Sequence, residues 1–316
     1  MLNDNALGDS PEQIVSHLHN IGDYLRWAVT CFSRHDVFFG HGTDNAWDEA
    51  LALVLHALAL PWNTDPQLLQ ANLTPSERLQ VIDLVRQRVT QRLPLAYLTR
   101  KAWFADLEFF VDERVLIPRS PMAELIESQF AHVLPQESIR RIVDVGTGSG
   151  CIAIACAVYL PQADVIGIDV NEDALAVAKI NVARHGVPVQ LMIGDLLSGV
   201  QGEFDLIITN PPYASEEEWQ GIPSEYHAEP KLALVSPEEG LQHVKRLLQQ
   251  ALTRLSEQGV LIVEVGYSQP QFEQVYPHLP VTWLEFDRGG QGVFMINRAD
   301  LWAHRDLIEA VASESV

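Results

Sequence analysis

The stretch Arg141-Ile-Val-Asp-Val-Gly-Thr-Gly-Ser-Gly-Cys-Ile-Ala-Ile154 passes from one apolar run, through a turn with glycine at every second position, into another apolar run. Its first part reads as a strand, Arg141–Val145, and its last part as a helix over Ser149–Leu160. Gly146, Gly148 and Gly150 fall where the backbone must turn sharply and let a ligand approach closely. The same texture continues downstream. Strands are expected at Asp164–Val170, Val189–Gly194, Phe204–Thr209 and Val260–Val265, and helices at Glu172–His185, Glu238–Glu257 and Gln269–Tyr276. Two final strands lie near Val281–Phe286 and Val293–Asn297. Such alternation implies right-handed crossovers and an α/β domain whose mostly parallel sheet is covered on both faces, with the last two strands as an antiparallel edge hairpin.

Upstream the periodicity is helical from about Ile14 to Arg92, as in Ala50, Leu53, Val54, Ala57 and Leu58. Asp44 or Asn45 is placed to cap a helix beginning near Trp47, and Thr74-Pro75-Ser76-Glu77 sets a cap, a first-turn proline and an acid in favourable order. Short apolar runs follow at Ala102–Phe104 and Leu107–Val111, split by Asp106, and predict a hairpin. The organisation expected is a helical domain over 1–100, a β-hairpin linker over 101–117 and the α/β domain over 118–316. The Glu216–Glu218 run reads as a solvated face.

The chain has 316 residues, 47 % hydrophobic, with 21 Lys+Arg against 42 Asp+Glu and a net charge of −21. That charge repels phosphate backbones and disfavours stable nucleic-acid binding, while it attracts a basic partner. The longest apolar stretches, Ala50–Leu60 and Cys151–Leu160, fall short of the ~20 residues a membrane span needs. Met1–Gln13 lacks the basic and apolar regions of a secretion signal. Cys31, Cys151 and Cys156 have no metal-ligand spacing and read as reduced, buried thiols, so no metal and a cytoplasmic location are expected.

The Gly-x-Gly-x-Gly spacing in Asp144–Gly150, which includes Thr147, differs from that of dinucleotide folds and favours an adenosyl ligand without phosphates. Asp169 closes the second strand, where a carboxylate can accept both ribose hydroxyls. Asp195 closes the third, where it can accept an adenine amino group. This progression of strand ends resembles the Rossmann-like class I S-adenosylmethionine-dependent methyltransferase fold over Pro118–Asn297, which implies a seven-stranded sheet and S-adenosylmethionine as cofactor.

After the fourth strand stands Asn210-Pro211-Pro212-Tyr213. It resembles the motif of methyltransferases that act on a planar nitrogen conjugated to a π system, a class that includes adenine-amine and glutamine-amide enzymes. An amide nitrogen is a poor nucleophile because its lone pair is delocalised, so a site must aim the NH2 at the methyl donor and accept its hydrogens. The Asn210 side-chain oxygen and the Pro211 carbonyl can do so, Proline's fixed φ keeps them aimed, and Tyr213 can pack on the flat amide.

Val115-Leu-Ile-Pro118-Arg119, with Trp103-Phe104 before it, resembles the segment that joins the two domains of protein glutamine methyltransferases, which extends the similarity to nearly the full length. By that resemblance Trp103 or Phe104 lies against the cofactor and Pro118 and Arg119 line its pocket. The chain continues Ser120-Pro-Met-Ala-Glu124 where the release-factor branch carries Pro-Glu-Thr-Glu. That sequence, with Phe38-Phe-Gly-His-Gly-Thr-Asp-Asn-Ala-Trp-Asp-Glu49, is similar to the branch that methylates a glutamine of the third large-subunit ribosomal protein (L-three), and implies that this basic protein is the partner. The Phe38–Glu49 stretch reads either as substrate recognition or as turn and capping structure. Methylation of release factors, adenine methylation of nucleic acid, and a non-catalytic assembly role remain as alternative expectations.

Overall fold

The computed structural model describes residues 10–313. They fall into two compact units, one reaching to Lys101 and taking in Pro223–Ala228, the other comprising Ala102–Ile222 and the chain from Glu229 on.

The first unit is helical, with helices at Pro11–His17, Ile21–Arg34, Ala46–Ala57, Pro75–Thr90 and Leu95–Thr99. Their starts are chemically marked. Asn20 and Asp23, and Thr74 and Glu77, form reciprocal capping boxes, and Asn45 caps the third helix. Such caps satisfy backbone N–H groups that a helix start leaves unpaired, each worth about 1 kcal/mol. Tyr24, Leu25, Phe32, Leu53, Val54, Val81 and Val85 make the core. Within it lies a fully buried arginine. Arg88 pairs with Glu49 through Nε and with Glu225 at 3.3 Å, and donates to the Phe38 carbonyl at 2.7 Å. Thr43 also donates to Glu49, and the Phe38 N–H to Glu225 at 3.1 Å. The Phe38–Glu49 stretch therefore wraps a buried ionic cluster, with Glu225 brought to it from far along the chain.

The second unit opens with the hairpin β1 (Ala102–Phe104) and β2 (Leu107–Phe109), so the expected linker strands count with the α/β unit. The main sheet follows: β3 (Arg141–Val145), β4 (Asp164–Asp169), β5 (Val189–Ile193), β6 (Phe204–Thr209), β7 (Leu255–Glu264), β8 (Thr282–Trp283) and β9 (Val293–Asn297). Their order is β5-β4-β3-β6-β7-β9-β8. The first five run parallel, and β9 and β8 are antiparallel at the edge. This is the seven-stranded, Rossmann-like class I arrangement expected from the sequence.

Strand order reverses at β3, and the crevice outside the carboxyl ends of strands at such a switch point is where open α/β sheets take ligands. Period-2 alternation divides the core into two layers. Ile142, Leu206, Ile208 and Ile262 face Ile152, Ala153, Met122 and Ile126, while Val143, Ile207, Leu261 and Val263 face Val244, Leu247 and Leu248.

Two expected elements change. The helix expected over Glu238–Glu257 occupies Gln242–Ala251, and β7 begins at Leu255, five residues before Val260. The cause is a bulge: Phe204 pairs with Leu255 but Leu206 with Val260, so Ser256–Gly259 loops out of register. Beyond β9 the chain ends in two short helices, Arg298–Ala303 and Arg305–Ser313, separated at His304, which place Leu301 and Ile308 in the core. All three cysteines are free thiols, and burial pushes Cys31 up to about 11 and Cys151 up to about 12.

Candidate active site

The ends of β3, β4, β5 and β6 surround an open cleft. Gly146 and Gly148 come from the turn after β3, Asp169, Val170 and Asn171 from the end of β4, Asp195 and Leu196 from beyond β5, and Asn210, Pro211 and Pro212 from beyond β6. Arg114, Val115 and Leu116 close one side, and Pro230, Leu232, Ala233 and His243 another.

The glycine turn is shaped from beneath. Asp144 is fully buried, and its Oδ2 accepts from Thr147 Oγ1 at 2.5 Å and from the Ala153 N–H at 3.1 Å. Burial pushes Asp144 up to about 7, against those two donors, which favour the charged form. Gly146, Gly148 and Gly150 all have positive φ, and a Cβ built at Gly146 would meet nothing within 4 Å, so the turn faces open space. A Cβ at Gly150 would instead press on Ala178 at 3.2 Å. Asp144, Thr147 and Gly150 thus support the turn without lining the cleft. Gly146 and Gly148 line it.

Asp169 points at the same turn. Its Oδ2 accepts from the Gly148 N–H at 2.8 Å and its Oδ1 from the Asn171 N–H at 2.9 Å. Burial raises its carboxyl above the ordinary aspartate range despite these bonds. Asp195 also lines the cleft, with its carboxylate held by Arg246 at 2.6 Å. Burial holds the imidazole of His243, which also lines the cleft, below the ordinary histidine value, with Arg246 adding to the effect and Asp195 opposing it.

Asn210 lies at the cleft, and among the described residues none hydrogen-bonds to its carboxamide. Thr209 locks the strand end by donating to the Val145 carbonyl at 2.6 Å. Tyr213 turns elsewhere: its hydroxyl donates to Glu264 at 3.2 Å, and it does not line the cleft.

Phe104 and Arg119, expected beside the cofactor, line a second depression with Trp103, Ser120 and Arg288, and Pro118 lines neither. Arg119 pairs with the buried Glu229 at 2.8 Å, and Glu229 also accepts from the Ile117 N–H at 2.9 Å. Glu229, Glu264, Arg246 and His243 escaped the sequence reading. Glu264 carried a usable signal, as the one acid ending the apolar run Val260–Val263, where charged residues at parallel-strand ends mark sites.

Among the described residues no helix is long and apolar enough to cross a membrane. A family model described as "Methyltransferase small domain" matches residues 127–225. A protein of Francisella tularensis described as "Ribosomal protein uL3 glutamine methyltransferase" is 42% identical over 299 residues, covering 93% of this chain and 95% of its own. One of the same description from Xanthomonas campestris is 45% identical over 298 residues, covering 94% and 97%.

Proposed function

The chain belongs to the family of ribosomal protein uL3 glutamine methyltransferases, and from that membership we propose that it transfers a methyl group from S-adenosylmethionine to the side-chain amide nitrogen of a glutamine in uL3. The N–CH3 bond forms as the S–CH3 bond breaks, and the products are N5-methylglutamine, S-adenosylhomocysteine and the proton that the amide nitrogen gives up to solvent. The observation that carries the reading is the uncommitted Asn210 carboxamide and the Pro211 backbone set on the same cleft as Gly146, Gly148 and Asp169.

The cleft fits the cofactor. The open face of Gly146 admits close approach, the Asp169 carboxylate has lone pairs left for ribose hydroxyls, and Val170, Leu196, Leu232 and Ala233 offer apolar surface to a flat base. S-adenosylmethionine, when bound, supplies a methyl group already activated by its sulfonium. What the chain must supply is orientation. We assign Asn210 Oδ1 and the Pro211 carbonyl to accept the two amide hydrogens, which aims the nitrogen and opposes delocalisation of its lone pair. Positioning of this kind lowers a barrier by several kcal/mol without a strong base.

The acidic surface, with net charge −21, favours encounter with a basic ribosomal protein over stable contact with nucleic acid. We place the reaction in the cytoplasm and assign target choice to the helical unit. The test is transfer of a labelled methyl group to purified uL3, a release factor and DNA side by side. Label on uL3 alone supports the reading; label on either of the others, or on none, refutes it.

A further inference from the structure

Tyr213 closes the Asn-Pro-Pro-Tyr turn, and it is gripped from three sides. Its hydroxyl donates to Glu264 Oε1 at 3.2 Å. Its carbonyl accepts from Ser268 Oγ at 2.7 Å. Its ring lies against Gly266, where an added Cβ would come within 2.5 Å of it. Gly240 approaches just as closely, since a Cβ there would stand 2.0 Å from the Tyr213 carbonyl oxygen. Both glycines have positive φ, +48° and +88°, so backbone conformation and space together demand glycine.

Glu264 ends β7 and is buried at 5% exposure. Its second oxygen, Oε2, accepts from Ser120 Oγ at 2.6 Å. Ser120 Oγ itself accepts from the Met122 N–H at 3.2 Å, which leaves the serine proton to point at the carboxylate. The nearby Arg119 makes its ion pair with Glu229. Among the described residues Glu264 is thus a buried acid held by two hydroxyls and paired with no cation within salt-bridge distance, with the charge of Arg119 felt from farther off, an arrangement that costs stability compared with an apolar side chain.

We propose that Glu264 is a positioning residue for methyl transfer: by holding the Tyr213 hydroxyl on one oxygen and the Ser120 hydroxyl on the other, it fixes the turn that presents Asn210 and Pro211. Tyr213 then serves as the anchor of that turn, reversing its expected role against the substrate amide. Ser120 is the third member. The inference rests on the reading of Asn210 and Pro211 as the amide-holding pair.

The test uses Glu264→Gln, Tyr213→Phe, Ser120→Ala and the double variant of the first two, in the full chain. In Glu264→Gln and Tyr213→Phe, kcat on uL3 should fall roughly ten- to hundredfold, as a displaced reacting group would give. KM for uL3 and the calorimetric Kd for S-adenosylmethionine should stay within about threefold, and Ser120→Ala should show a smaller fall in kcat. The double variant should be no slower than the worse single one, because both cut the same link. Hydrogen exchange of the peptide over Phe204–Ala214 should rise in each, a readout that needs no substrate and so survives failure of the uL3 assignment. Unchanged exchange in folded Glu264→Gln overturns the proposal. So does unchanged kcat, or a double variant whose loss is the product of the two singles.

Discussion

The Asp169 carboxylate at the end of β4 accepts a hydrogen bond from the Gly148 N–H at 2.8 Å, so the acid and the glycine turn of β3 form one structure. Removing the acid frees the turn and takes away the proposed partner of the ribose hydroxyls. Asp169→Ala should weaken S-adenosylmethionine binding about tenfold to a hundredfold, the size of one or two hydrogen bonds to a charged group. Isothermal calorimetry measures it, and an unchanged Kd removes Asp169 from the site.

Asn210→Ala separates chemistry from binding. Among the described residues the carboxamide has no hydrogen-bond partner, so the variant should fold and bind cofactor normally while kcat falls by about two to three orders of magnitude, as for loss of a preorganised polar group. Single-turnover kinetics beside calorimetry reads both quantities. Equal turnover would end the amide-holding role.

In the helical unit the buried Arg88 compensates Glu49 and Glu225. Arg88→Ala would leave two buried carboxylates without their shared cation, and should destabilise this unit by ~3–5 kcal/mol. Native-state hydrogen exchange of the Ile21–Arg34 helix measures the loss. A change under about 1 kcal/mol would contradict the cluster's role.

Glu225 sets the pH response of the same unit. Burial works to raise its carboxyl, but the Phe38 N–H and the Arg88 and Arg92 guanidinium groups outweigh that and hold it below the ordinary glutamate value. A lowered folded-state pKa gives stability that is complete above the unfolded value of about 4.3 and is lost as pH falls through the folded one. Protection of the Ile21–Arg34 helix should decline below about pH 4.3, and less steeply in Glu225→Gln. An identical profile in that variant would reject the assignment.

The legible parts of this molecule are those set by neighbours in sequence. Glu172–His185, Phe204–Thr209 and Val293–Asn297 have the expected bounds because periodicity and local breakers specify both ends. Thr74 caps its helix because a capping box is written within four residues. The Ser256–Gly259 bulge was hidden, since register against β6 is a long-range property. So was the attachment of Pro223–Ala228 to the helical unit, where Glu225 meets Arg88 across 137 positions. At the site, the strand-end residues Gly146, Asp169 and Asn210 were readable and do meet at one cleft. Arg246 and Glu264 were not, because each acts through a partner remote in sequence, Asp195 and Tyr213.

Methylation of a glutamine amide in uL3, with the amide held on Asn210, would leave its mark on the substrate protein itself. Peptide mass spectrometry of uL3 after reaction with S-adenosylmethionine and either wild-type enzyme or Asn210→Ala tests it directly. The wild-type enzyme should add one methyl group to the side-chain nitrogen of a glutamine, and the variant almost none. A methyl group on lysine, arginine or a backbone nitrogen, or equal modification by the variant, would contradict it.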